Sequence, residues 1–213
     1  MGMGRWNDPA ACRRQDRGAD KFATLWHGSL TRCVRSLSRS GLSQKAGCAA
    51  HIECEKTAVF NNHSLAVDTV LPGHVTLLSD LAGPGTLTVG QLQWRGGRIE
   101  GPGGLTIPAG SAVDAFGAGL FYTRPLLNRG SFVIHQDSNP KSAVEATNDT
   151  TGVVRLEGGT QWGSGALVNR GQIIKDRSAG GAELLIPAIA NAGLIRVEGG
   201  RLQLQGSLDG GEV

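Results

Sequence analysis

Three groups of residues have the types and spacings that chemistry needs. The first is Cys48-x2-His51-x2-Cys54, with Cys33 upstream. Thiolates and an imidazole at such distances suit tetrahedral Zn²⁺. The spacing matches no established zinc signature, however, and adventitious thiols or one disulfide are the expected reading, with no metal and no cofactor. The second group lies in the polar stretch from His135 to Gly152. Asp137, Glu145 and Asp149 there supply carboxylates suited to Ca²⁺ or acid–base work, with Arg124 and Arg129 near in sequence. The stretch reads as a loop projecting from a regular body, where function often resides. The third group is for recognition. Arg129 and Arg170 offer charge to an anionic glycan, and Trp94 and Trp162 offer rings to a sugar face, unless they are structural, half-buried tryptophans. No phosphate-binding glycine loop, nucleophile elbow, H-E-x-x-H helix or Ca²⁺ loop is present. Sequons stand at Asn62-His-Ser and Asn148-Asp-Thr.

What must position these residues is a chain of two unlike parts. Residues 1–50 hold nine Lys/Arg against three Asp/Glu, and residues 51–213 hold twelve against fifteen, so the net charge of +3 describes neither part. All four cysteines stand at or before Cys54. Residues 1–56 show no sustained period and read as a basic, disordered arm. The arm lacks the apolar run of a secretory signal and the aromatic–basic interleaving of a nucleic-acid module, so nucleic acid is not an expected partner. No apolar run approaches the roughly 18 residues of a membrane span. Thirty-three glycines exclude a plain helix bundle, and 39% hydrophobic residues exclude a wholly disordered chain.

Residues 57–213 carry a repeat. Asn62, Asn128, Asn169 and Asn191 each precede a short β-prone run, in successive steps of 66, 41 and 22. The last three have glycine two positions on, at Gly130, Gly171 and Gly193. The glycine pairs Gly96-Gly97, Gly158-Gly159 and Gly199-Gly200 follow one another in steps of 62 and 41. All of these approximate multiples of 21. Runs such as Ser131-Phe-Val-Ile and Leu194-Ile-Arg-Val are strand-like, with turn residues every seven or so. Three short strands per unit of about 21 predict a right-handed parallel β-helix of roughly seven coils. Glycine would provide positive φ at its corners. Asparagine would tolerate the left-handed corner and bond the asparagine of the next coil. A β-sandwich is the alternative fold, but it gives no reason for one shared step.

The stretch from Leu81 to Gly110, with the N-x-G segments at Asn128, Asn169 and Asn191, resembles the glycine-rich β-helical repeats of large bacterial surface and secreted proteins, such as adhesins and autotransporter passengers. The resemblance covers about residues 58–213 and transfers no catalytic residue. It implies a non-enzymatic segment of a longer extracellular or cell-surface protein, contacting glycans or other surface proteins. A polysaccharide lyase or hydrolase working through the 135–152 carboxylates is the alternative.

Overall fold

The computed structural model describes residues 50–51, 58–60 and 63–210. The arm with its cysteines, including the Cys48–His51–Cys54 side chains, and Asn62 lie outside the described side chains.

Every strand pair is parallel, and no helix occurs among the described residues. The chain winds as a β-solenoid of about seven turns. Each full coil has three faces. The first carries Leu105–Ile107, Leu126–Asn128, Glu145–Asn148 and Ala166–Asn169. The second carries Ala112–Ala115, Ser131–Ile134, Val153–Leu156, Gln172–Lys175 and Leu194–Val197. The third carries Leu81–Ala82, Arg98–Ile99, Phe121–Tyr122, Lys141–Ser142 and Thr160–Gly163.

The step is not constant. Leu87 pairs with Leu105, a step of 18, whereas Leu105 pairs with Leu126, a step of 21, and Leu167 with Ile189, a step of 22. The difference arises at the corners on either side of the second face, the connection after it growing from residues 95–97 to residues 116–120. Thr69–Leu77 and Leu87–Trp94 run through the bend between the first and second faces as single strands. In the next coil the turn Pro108–Ser111 separates two strands, so the step from Trp94 to its partner Ala115 lengthens to 21. The period near 21 therefore belongs to the later coils, from the one that begins at Leu105 onward.

Alternation fills the core. Val75, Leu92, Val113, Phe132, Val154, Ile173 and Ile195 stack inward in register along the second face, all buried. Leu87, Leu105, Leu126, Ala146, Leu167 and Ile189 do the same along the first. Three bulky aromatics sit between them. Trp94 meets Tyr122 edge-on at 6.3 Å, and Trp162 meets Phe132 edge-on at 5.8 Å. Their polar ends are satisfied, the Trp94 indole donating to the Gly96 carbonyl at 3.1 Å and the Trp162 indole to the Tyr122 hydroxyl at 3.1 Å.

Burial pushes the Tyr122 phenol up to about 12, against the hydrogen bonds from Trp162, Ser164 and Ser142. The folded chain thus favours the neutral phenol. That stabilisation is complete below the unfolded value near 10 and is lost as pH climbs from about 10 to about 12, amounting to about 3 kcal/mol. Tyr122 is the chain's single tyrosine, so an ultraviolet titration reads it alone. Tyrosinate should form near pH 10 in denaturant and about two units later in the native chain. Ionisation near pH 10 with the fold intact would contradict the packing.

Candidate functional site

The stretch 135–152 is not an excursion. It forms one full coil of the stack, with Lys141–Ser142 on the third face and Glu145–Asn148 on the first. Its polarity misleads because its outward positions are hydrophilic while Ala146 and Asn148 fill the interior. The three carboxylates proposed for chemistry consequently separate. Asp137 occupies the corner after the second face, in a left-handed conformation with φ 59°. Glu145 begins the first face, exposed. Asp149 lies at the corner after the first face. Arg124 is fully buried and donates to the carbonyls of Glu100 at 3.0 Å and Gly83 at 2.6 Å, and to that of Gly85, fastening neighbouring coils. Burial lowers its pKa.

Arg129 and Arg170 stand two coils apart, flanking Asp149. Arg129 Nε donates to Asp149 Oδ2 at 3.0 Å. The Asp149 carboxyl is held below its usual range, first by the Thr150 backbone N–H and then by Arg129, with Arg170 adding attraction. An anion approaching these arginines meets that carboxylate between them. Trp94 and Trp162 are 1% exposed, not half-buried, and offer no ring to a sugar. They mark the core because indoles of that size fill the gap between facing strands.

The asparagines form a buried ladder. Asn128 Nδ2 donates to Asn148 Oδ1 at 2.8 Å, Asn148 Nδ2 to Asn169 Oδ1 at 2.7 Å, and Asn169 Nδ2 to Asn191 Oδ1 at 2.6 Å. The ladder also ties into backbone, as where Asn148 donates to the Gln172 carbonyl at 3.1 Å. Asn148 is 1% exposed, so the amide of that sequon faces the interior. None of the four takes the left-handed conformation expected at a corner. Nor do Gly130, Gly171 and Gly193, where a Cβ would lie 2.1–2.3 Å from a carbonyl oxygen of the preceding coil. Close approach of the coils, not positive φ, excludes side chains there. Positive φ belongs to the second glycine of each pair, at 73° in Gly97, 74° in Gly159 and 71° in Gly200. Their first partners, Gly96, Gly158 and Gly199, meet neighbouring backbone instead.

One polar cluster was not evident from spacing. Just past the second face, Arg95, Phe116, His135 and Glu157 occupy one column on successive coils. The Arg95 guanidinium sits 4.5 Å over Phe116, and Phe116 stacks on the His135 ring at 4.1 Å. His135 Nδ1 lies 3.0 Å from Glu157 Oε1, and Nε2 lies 2.9 Å from Asp114 Oδ1. Both ring nitrogens are thus engaged within the cluster. Its effect is to fix the two carboxylates.

Asp114 in turn borders a shallow groove of about 190 Å³ on the outer second face, lined with His74, Thr76, Gln91 and Gln93. A fully buried Lys175 donates to the carbonyls of Asp176 at 2.8 Å and Ser178 at 3.0 Å and belongs to the corner, not to a site. No group of three His, Cys, Asp or Glu arranged to hold a metal occurs among the described residues. No described helix is long and apolar enough to cross a membrane. No protein-family model, curated protein or solved structure matches this chain.

Proposed function

We propose that the chain is a structural repeat segment of an extracellular or cell-surface protein, presenting an extended outer surface for contact with glycans. One observation carries this reading. Between residues 63 and 210 the longest connection between strands is residues 135–140, so the stack holds its outward side chains on a continuous framework without a projecting catalytic loop. Two others support it. Asp137, Glu145 and Asp149 lie at different corners and faces instead of converging. The polar cluster around His135 is internally bonded, the imidazole holding Asp114 and Glu157 in place.

The test is location and turnover. An antibody against residues 100–213, applied to fractionated cells and culture medium, should find the product on the cell surface or outside the cell. Purified protein incubated with plant and bacterial polysaccharides should release no new reducing ends or unsaturated products. A pool confined to the cytoplasm, or sustained polysaccharide cleavage abolished by Asp137→Ala with Glu145→Ala, overturns the reading.

A further inference from the structure

Elsewhere on the outer surface several polar side chains pair with one another. Arg98 bonds Glu100, Arg129 bonds Asp149, Gln161 bonds Glu183 and Arg196 bonds Glu198. The groove on the second face gathers several unpaired polar groups in one place. Three strands meet there, with His74 beside Gln91 and Thr76, Gln93 and Asp114 in one outward row. Among the described residues, the side chains of His74, Thr76 and Gln91 make no hydrogen bond within the chain, although all three line the groove.

The other two polar lining groups are held in place by one contact each. Arg95 Nε donates to Gln93 Oε1 at 3.2 Å, which leaves the Gln93 amide hydrogens for another partner. His135 holds Asp114 Oδ1, which leaves Oδ2 as an acceptor, and Glu157 fixes the ring from its far side. Preorganisation of this kind lowers the ordering cost of binding.

The chemistry of the lining selects the ligand class. Among the described residues, one carboxylate and no lysine or arginine line the groove, which disfavours a phosphate, sulfate or uronate. A divalent cation would need more carboxylate oxygens than Asp114 supplies. Exposed lining is mainly polar, which disfavours an apolar occupant. What remains is a mixed set of amide donors, a hydroxyl, an imidazole and an acceptor, repeated on coils about 4.8 Å apart. Sugar hydroxyls each donate and accept, and adjacent hydroxyls match an amide beside a carboxylate. We propose that this groove, formed by His74, Thr76, Gln91, Gln93 and Asp114, binds a neutral oligosaccharide laid across the coils. The inference rests on the glycan-contact reading above and gives it a place and a ligand charge.

The test uses the full chain, isotope-labelled, with amide shifts followed during titration with maltohexaose, cellohexaose and an oligogalacturonate. At least one neutral oligosaccharide should shift amides in 74–76, 91–93 and 114 with millimolar affinity. Gln93→Ala and Asp114→Asn should each weaken it about tenfold or more, about 1.4 kcal/mol. Arg129→Ala, at a different corner, should leave binding unchanged. Saturable shifts mapping to another face overturn the groove while leaving glycan contact standing. Preference for the oligogalacturonate overturns the neutral assignment, and absence of saturable shifts with all three probes overturns the site. The cell-fractionation result is independent of each of these, so failure of the wider reading is seen separately.

Discussion

Replacing Gly158 with alanine is expected to destabilise the solenoid by about 3–5 kcal/mol, a large part of the roughly 5–15 kcal/mol that holds a typical domain folded. The backbone at Gly158 is not left-handed, so intrinsic strain is not the cause. A Cβ there would lie 1.6 Å from the Ala179 carbonyl oxygen and 2.8 Å from its carbonyl carbon. Both atoms belong to the backbone of the next coil, which cannot rotate aside as a side chain does. Relief requires spreading the two coils, and the backbone hydrogen bonds between Val153–Leu156 and Gln172–Lys175 would stretch with them. Gly110 provides the comparison. Its φ is 79°, yet nothing lies within 4 Å of its missing Cβ. Alanine at 110 should therefore cost only the left-handed penalty, about 1–2 kcal/mol. Urea unfolding of both variants checks the ranking. Equal losses would mean that backbone conformation, not coil spacing, governs the glycines.

Asn148→Ala should cost about 3–4 kcal/mol, because the change breaks a hydrogen-bonded network inside the core. Asn148 accepts from Asn128 and donates to Asn169 and to the Gln172 carbonyl, all within the buried stack. Alanine orphans the buried Asn169 Oδ1, worth about 1–3 kcal/mol, and removes a donor from the part-buried Gln172 carbonyl. Asn128 Nδ2 retains only the Val153 carbonyl, at 3.3 Å. Because a solenoid couples mainly nearest neighbours, hydrogen exchange should accelerate first in the coils around 128 and 169. Arg129→Ala removes an exposed ion pair one residue along the same corner from Asn128 and should change stability by less than about 1 kcal/mol. A loss at Asn148 no larger than that at Arg129 would show that the ladder contributes little.

Much of the architecture is legible in spacing. Asn128, Asn169 and Asn191, with glycine two residues on, mark a corner where backbones of adjacent coils nearly touch, and only a small set of residues survives there. Asn148 escaped that pattern because its glycine is Gly152, four positions on; the longer turn Asp149–Thr151 hides the same corner. The shorter early coils escaped for the opposite reason. Their bend between the first two faces runs through continuous strands without an asparagine, and in the first of the longer coils Ile107 still fills the position beneath Asn128. Polarity was a poor guide to exposure at Arg124 and Lys175, both fully buried with their charge answered by backbone carbonyls. The His135 cluster joins residues one coil apart whose types follow no repeat, so only the register of the strands brings Asp114 and Glu157 to one imidazole.

The asparagine ladder also has a direction. At every rung the amide hydrogen is handed toward the C-terminal coil and the oxygen receives from the N-terminal one. Backbone partners on both sides of the amide enforce that sense, as where Gly130 donates to Asn128 Oδ1 and Asn128 donates to the Val153 carbonyl. A single rung turned over would set oxygen against oxygen on one side and hydrogen against hydrogen on the other. The rungs therefore turn together or not at all. Their aligned dipoles polarise one another in series, giving this all-β stack an axial electrical polarity of the kind usually associated with a helix.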